Sequence, residues 1–460
     1  MSRPNVILLT IDTLRADRLG CYGHNPSITP NIDQLAATGL RFTQAITGGS
    51  WTQAAFPVLL TSSYASMHGG CLSPLAPERP SPIETLTTLG YTTGGFTTSP
   101  LLGQTYGYDR GFHHFVEMIP NETDPALRKI RGGQQLLRNP LTHYVSRLIG
   151  KRSRPARLYV SAAEVNKKVR QWMDNIEGPF FAWIHYMDVH WPYYIEEDLT
   201  RPADIARAWK DLAHLHQLSR QGIEMTGAQR DYYIQLYEQA VQYMDTQIGQ
   251  LLSYVKKSKV AENTIIILVA DHGEEFLDHQ QWGHKETNLH DEIIRVPLMI
   301  HLPDQPNEKV IDRQVRTLDI MPTILDLCDC PQPDDLQGTS LTPLWTGNEA
   351  RYENKIAISE RWRKRRDNGE VLHMIAVRTD SFKYIWDSRQ PDQPHLFNLQ
   401  DDPGEKYNVC EKNAEKAKEL HIYVEEHRRY TSETTSDRIP AEPHLDQAVV
   451  DRLRALGYFE

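Results

Sequence analysis

The sequence lacks any apolar run near the roughly 18–20 residues that a membrane-spanning helix requires. It is poor in cysteine: Cys21, Cys71, Cys328, Cys330 and Cys410 are five in 460 residues. Their number is odd and their spacing matches no zinc or thiol-redox motif, so free thiols are expected rather than a disulfide or zinc framework. Positive charge is in deficit, with 50 Lys+Arg against 60 Asp+Glu and a formal net charge of −10. That balance makes the chain a poor candidate for general nucleic-acid binding, and no nucleic-acid partner is expected. There is no internal repeat and no low-complexity tract. Met1-Ser2-Arg3-Pro4-Asn5 runs straight into Val6-Ile7-Leu8-Leu9, with Asp12 close behind. This apolar run is too short for a signal-peptide core, so the chain is expected to be cytoplasmic. What is present suits a large core: 40% hydrophobic residues, nine Trp and 21 Tyr exclude global disorder.

Val6 to Ile11 reads as a buried strand ending on Asp12, and Pro179 to Tyr186 as a second. Thr264 to Ala270 is the clearest strand and runs into Asp271-His272-Gly273; Val296 to Ile300 is another. A helix starts at Thr29-Pro30 and stops at Gly39. Ser50-Trp51-Thr52, after Gly48-Gly49, reads as a loop entering a helix. Residues 228–256 carry Ile234, Tyr237, Val241, Met244, Ile248 and Leu252 at helical spacing. Strands alternating with helices predict an α/β fold, a mainly parallel sheet sandwiched by helices. After about residue 345 short strands (356–359, 373–378, 383–386) and a charged helix (410–428) predict a smaller antiparallel-sheet subdomain. The expected division is a catalytic domain over 1–345 and a C-terminal α+β subdomain over 346–460.

Polar residues that cut off an apolar strand sit at the C-terminal edge of a parallel sheet, where α/β folds bind ligands. Asp12, Asp188/His190 and Asp271/His272 are such places. A lone acid there is most often a cap or turn residue. Three acid or acid–His clusters at three strand ends point instead to a divalent cation.

Several ordered segments resemble the sulfatase family of the alkaline phosphatase superfamily. They are Asn5 to Gly23, Thr29 to Ala36, Gly90-Tyr91-Thr92-Thr93, the block from Asp271-His272-Gly273-Glu274-Glu275 to Arg295-Val296-Pro297-Leu298, and Leu396 to Glu405. The resemblance runs nearly end to end and implies an alkaline-phosphatase-like fold and hydrolysis of ester bonds. One departure stands out. Sulfatases carry Cys or Ser in a C/S-x-P-x-R motif that is oxidised to formylglycine. Here Thr52 occupies that place, and Ala54 and Phe56 replace the Pro and Arg. The neighbourhood is similar to phosphodiesterase- and phosphonate-hydrolase-like relatives with an unmodified Thr nucleophile, so no formylglycine is expected. By local sequence alone Thr52 would read as a helix N-cap.

The resemblance implies a metal site of Asp12, Asp271 and His272, completed by Thr52, with Thr13 standing where the family often has a second acid. It implies that His190 serves the substrate oxyanion or leaving group, and that His284, or Lys285 beside it, supplies a further catalytic group. A His ligand tilts the cation toward Mn or Zn, with Ca and Mg as alternatives. Thr97-Thr98-Ser99-Pro100 stands where single-metal relatives hold the substrate. The expected activity is metal-dependent hydrolysis, or transfer, of phosphate, phosphonate or sulfate esters, and the expected partner a small anionic ester. The competing reading is a catalytically silent relative that binds an anion or a partner protein. A two-metal phosphodiesterase would need Asp188, His190 and His284 to converge.

Two basic clusters remain, 128–157 and Arg361-Trp362-Arg363-Lys364-Arg365-Arg366, the latter expected between two strands. They read as solvated loops by default. The functional alternative is that one collars the active-site mouth and draws in anions. An apolar stripe in the first (Leu136, Leu137, Leu141, Tyr144, Val145, Leu148) leaves a membrane surface open, and a homo-oligomer is also left open.

Overall fold

The computed structural model describes residues 3–69, 73–118, 159–195, 201–221, 225–284, 288–305, 307–353, 356–364 and 371–434, and positions 443, 445, 450 and 453. The basic cluster at 128–157, Lys285 and Cys71 lie outside the described residues. In chain order the strands are β1 (Asn5–Ile11), β2 (Leu40–Ile46), β3 (Thr92–Thr97), β4 (His114–Glu117), β5 (Phe180–Tyr186), β6 (Thr264–Ala270), β7 (Glu275–Phe276) and β8 (Trp282–Gly283). They continue with β9 (Arg295–His301), β10 (Lys309–Ile311), β11 (Val315–Arg316), β12 (Ala357–Lys364), β13 (Val371–Arg378), β14 (Phe382–Asp387) and β15 (His395–Asn398).

Strands β1, β5 and β6 are buried along their whole length, as continuous Val/Ile/Leu/Phe runs require when both faces are covered. They form the centre of a large sheet ordered β10-β2-β9-β6-β1-β5-β3-β4, with β11 also on β2. Its pairings are parallel except those of β9 with β2 and with β6. The expected α/β architecture is therefore observed, with one reversed strand. Helix Gly227–Lys257 packs against helices Pro30–Ala37 and Ala162–Met173, and helix Thr52–Thr61 against Pro82–Thr88 and Ile320–Leu327. No helix among the described residues is long and apolar enough to cross a membrane.

Strands β12 to β15 form an antiparallel sheet in sequence order. Period-two alternation gives it two apolar faces. Met374, Ala376, Ile385 and Phe397 pack on Ile46, Leu289, Ile293 and Ile294 of the larger part. Ile375, Val377, Tyr384 and Trp386 pack on Ala417, Leu420 and Val424 of helix Ala414–Thr434. The expected charged helix thus begins and ends later than residues 410–428. The second basic cluster also differs from expectation: Arg361 to Lys364 are part of β12 rather than a loop between strands, because β12 pairs with β13 up to Lys364↔Val371.

The two sheets are tied by a buried charge network. Lys383 Nζ meets Asp291 Oδ1 at 2.6 Å and Glu405 Oε1 at 2.7 Å, and Arg378 adds a contact to Asp291 Oδ2 at 2.9 Å. Lys383, Glu405 and Arg378 are shut off from solvent and Asp291 largely so, and removing one partner strands the others. Lys383→Met is expected to destabilise the fold by about 3–5 kcal/mol, read as a fall in the urea midpoint. An unchanged midpoint would show that the network contributes nothing to cohesion.

Candidate active site

β1 lies between β5 and β6, with Ile11 registered against Tyr186 on one side and Ala270 on the other. The next residues, Asp12 and Asp271, therefore leave the sheet side by side at its C-terminal edge. Both are fully buried, as is His272. Thr13 turns the chain with φ at 56°, a left-handed conformation that a β-branched residue seldom adopts. Its amide donates to Asp271 Oδ1 at 3.3 Å, and its carbonyl accepts from the Tyr237 hydroxyl at 2.7 Å. Gly273 is required by space, since a Cβ there would lie 2.0 Å from the Glu292 carbonyl oxygen.

The His272 Nδ1 bonds the Gly273 carbonyl at 2.9 Å, which makes Nδ1 the protonated nitrogen and turns the Nε2 lone pair inward. That Nε2 lies 3.5 Å from Asp271 Oδ2 and 3.7 Å from Asp12 Oδ1. One ligand atom from each of the three residues falls within 4.8 Å of the others. Among the described residues Asp271 Oδ2, His272 Nε2 and both Asp12 oxygens have no partner at full hydrogen-bond geometry, and the nearby Thr52 hydroxyl only weakly opposes the rise of the Asp12 pKa that burial causes. Two other His/Glu groups in the described residues differ in this respect. In Glu360–His373–His427 and His279–His290–Glu292 the carboxylates already accept from imidazoles, at 2.8 Å from His427 and 2.7 Å from His279. Separations of 3.5–3.7 Å between unbonded donor atoms fit a shared central cation better than mutual hydrogen bonds.

Desolvation dominates the electrostatics. Burial pushes the Asp12 carboxyl up to about 7, against the pull of His284, and Asp271 also to about 7, with the like charge of Asp12 adding to burial. Burial pushes His272, His185 and His284 down to about 4, and His190 well below its ordinary value.

Thr52 is the first residue of helix Thr52–Thr61. Trp51 occupies the N-cap position without a side-chain capping bond, so the capping role suggested by local sequence does not fall to Thr52. The approach is tight: a Cβ on Gly49 would lie 2.4 Å from that of Ala54. Phe56, at the place of the motif's Arg, packs its ring 4.9 Å from His185 and 5.6 Å from Trp183.

His190 and His284 meet over His272, with ring centroids 5.0 Å apart and His284 4.7 Å from His272. His190 Nδ1 bonds the Trp191 carbonyl at 2.7 Å, and His284 Nδ1 bonds Glu274 Oε1 at 2.9 Å. These contacts engage Nδ1 of both rings. Asp188 does not group with them among the described residues; its Oδ1 accepts the Ala162 amide at the start of helix Ala162–Met173. Thr98 Oγ1, Ser99 Oγ, Ser50 Oγ and Thr13 Oγ1 are buried hydroxyl oxygens without a hydrogen-bond partner among the described residues.

Two residues of the cluster carried no distinct signal in the sequence. His185, inside β5, places Nε2 3.6 Å from Asp12 Oδ2 while its Nδ1 lies 3.0 Å from Thr10 Oγ1. Glu274 orients His284, accepts from the Tyr193 hydroxyl at 3.0 Å, and is pushed up to about 8 by burial. An imidazole one residue from the end of an apolar strand was the one available cue for His185.

A family model described as Sulfatase matches residues 4–330, and one described as N-sulphoglucosamine sulphohydrolase, C-terminal, matches 279–430. The chain is similar to an uncharacterized sulfatase, YidJ, of Escherichia coli K12, at 26% identity over 443 residues, 89% of this chain and 84% of that protein. It is similar to arylsulfatase A of Homo sapiens, at 26% over 457 residues, 88% and 83% of the two chains. Its fold superposes on the phosphonate monoester hydrolase of Agrobacterium radiobacter with a TM-score of 0.70 at 22% identity, covering 97% of this chain and 99% of the other.

The cluster titrates in two senses in the cation-free protein. Asp12, Asp271 and Glu274 keep protons to about 7, 7 and 8, which an unfolded chain releases near their ordinary values. His185, His272 and His284 stay unprotonated down to about 4, where an unfolded chain takes up protons below 6.5. Below about pH 6.5 the two sets oppose each other. Between about pH 6.5 and 8 only the acids differ, the folded chain holds more protons, and stability falls as pH rises. Melting in chelator is expected to give a lower Tm at about pH 8 than at about pH 6.5. Saturating Mn or Zn is expected to remove the fall, and Asp12→Asn to reduce it. A cation-free Tm that rises over this interval would contradict a protonated acid pair.

Proposed function

Because the chain belongs to the sulfatase family of the alkaline phosphatase superfamily and is an ester hydrolase, we propose that it cleaves a small anionic phosphate, phosphonate or sulfate ester with the Thr52 hydroxyl as nucleophile. The observation that carries this reading is the buried Asp12–Asp271–His272 group, its ligand atoms unbonded and convergent, with the Thr52 hydroxyl against Asp12. A divalent cation held by these three residues and the Thr52 oxygen, with Mn or Zn preferred, would neutralise the carboxylates and lower the pKa of the hydroxyl.

The residues divide the work. The Thr52 oxygen attacks phosphorus or sulfur in line, forming one ester bond as the bond to the leaving oxygen breaks. Nε2 of His284, oriented by Glu274, or of His190 takes the proton of the Thr52 hydroxyl and passes it to that leaving oxygen. The same nitrogen then takes a proton from the water that attacks the Thr52 adduct and returns it to the Thr52 oxygen as the product leaves. Buried hydroxyls of Thr98 and Ser99 are suited to donate to the non-bridging oxygens. Lys285, the alternative cation at this position, belongs to the same proposal from sequence alone. Phosphoryl chemistry suits an unmodified Thr, because water can attack phosphorus in a phospho-Thr, whereas formylglycine chemistry needs a group that Thr cannot become. The catalytic part is read as 1–345 and the companion as 346–460, supported by the separate apolar clusters of the small sheet.

Nitrophenyl phosphate, phosphonate, phosphodiester and sulfate esters, each with Mn, Zn, Mg and Ca, test the reading. Thr52→Ala is expected to cut kcat by about 10³-fold or more while cation binding largely survives. Thr52→Ser is expected to keep part of the activity. Intact-protein mass spectrometry after a quench is expected to show an adduct in the parent and none in Thr52→Ala. Parental turnover in Thr52→Ala would transfer the attack to water. A parent that binds anions yet turns over none of the esters would favour the silent relative, a reading that Ala54 and Phe56 support.

A further inference from the structure

The C-terminal sheet does more than cover the larger part: its strand β12 runs past the segment that leads to Thr52. Glu360 forms a parallel bridge with Gly49, and its amide donates to the Gly48 carbonyl at 2.9 Å. Alternation along β12 sorts its side chains. Ala357 packs toward Ile46 and Leu289, and Ser359 Oγ donates to the Thr47 carbonyl at 2.6 Å, so this face looks at the larger part. Glu360 looks the other way and is clamped. Its Oε1 accepts the Ser66 amide at 2.7 Å; its Oε2 accepts Ser66 Oγ at 2.7 Å, His427 Nε2 at 2.8 Å and His373 Nε2 at 3.2 Å. A carboxylate held by so many donors fixes the strand's rotation about its axis. Arg361 must then share the face of Ser359. Its guanidinium lies 5.8 Å from the centroid of the Trp51 ring, one residue before Thr52, and only 8% of the residue is exposed. Its charge also reaches across to His284, opposing protonation of that ring.

We propose that Arg361 is the anion-binding, specificity-determining residue of the Thr52 site, its guanidinium holding a non-bridging oxygen of the ester. This rests on the Thr52 centre being where ester chemistry occurs. The charge that the motif would place on the helix, at the position of Phe56, is delivered instead from the second sheet. A guanidinium remains protonated at any working pH, and its planar donors match the edge of a phosphate or sulfate. It lies against Trp51, the residue before Thr52, and near enough to His284 for its charge to act on that ring. A single fixed positive charge attracts a dianion more strongly than a monoanion, so Arg361 favours phosphate monoesters over singly charged diesters, phosphonate esters and sulfates.

Arg361→Gln and Arg361→Lys test this, with inorganic phosphate as the probe. Phosphate binding by calorimetry and its competitive inhibition constant are read beside KM and kcat for a nitrophenyl phosphate and a nitrophenyl phosphonate ester. Arg361→Gln is expected to weaken phosphate binding and raise KM for the phosphate monoester by about 10–100-fold. The phosphonate ester should suffer less, and Arg361→Lys should restore part of the loss. A merely structural role would lower Tm or kcat and leave the phosphate constant alone; a folded Gln variant that binds phosphate as the parent does overturns the inference. If the parent hydrolyses no ester but binds phosphate through Arg361, the proposed activity fails and this inference stands. If the Gln variant does not fold, the Lys variant decides. Measurable phosphate binding with the preference for the doubly charged ester retained supports the assignment, and abolished binding in a folded Lys variant overturns it.

Discussion

Two carboxylates share one dry place. Asp12 and Asp271 emerge from paired strands with no solvent to separate their charges, and both are held far above the usual carboxylate range. Like charges that close in a desolvated site cannot both ionise without a counter-charge. A cation held there would resolve the conflict, and the neighbouring groups fit that role. His272 is turned by its bond to the Gly273 carbonyl, Thr13 is strained into a tight turn that brings its amide to Asp271, and Tyr237 pins that turn from below. The chain accepts local strain and desolvation here because the surrounding sheet is buried deeply enough to hold them.

The second sheet reaches the same region from the outside. Its alternating faces are occupied on one side by the larger part and on the other by its own helix, so it has no freedom to rotate. The Glu360 clamp and the Lys383–Asp291–Glu405 network hold it at two places along its length. A strand fixed in this way can present one long side chain at a chosen point, which is how Arg361 comes to lie against Trp51. Gly48 and Gly49 make this possible, because the close packing of Val58 and Ala54 leaves no room for side chains between β12 and the start of the Thr52 helix.

The central strands were legible in the sequence for a physical reason. Strands buried on both faces are written as unbroken apolar runs, and Asp12 and Asp271 interrupt those runs where the sheet ends. Less regular strands such as β2 (Leu40–Ile46), whose burial is mixed, left weaker traces. Helix Pro202–Gln221, absent from the expected elements, does repeat Ala208, Leu212, Leu215 and Leu218 at three- and four-residue spacing. The order of the strands and the reversal of β9 depend on crossovers that no local pattern encodes.

What the sequence determined by itself was the inventory: which acids and imidazoles stand at strand ends, that a secondary hydroxyl replaces Cys or Ser at position 52, and that an α/β sheet is followed by a smaller antiparallel one. Local composition fixes these because each depends on residue type and near neighbours. What the tertiary structure alone decided was convergence. His185, mid-strand and unremarkable in sequence, comes within 3.6 Å of Asp12 because β5 happens to flank β1. Glu274 becomes the support of His284 across ten residues of chain. Asp188, equally plausible as a ligand by sequence, turns instead to the amide of Ala162. Arg361, which the sequence offered as part of a solvated basic loop, is buried beside Trp51, the neighbour of Thr52. Strand pairing and period-two alternation set the direction of that side chain, and both are properties of the assembled sheets rather than of any segment read alone.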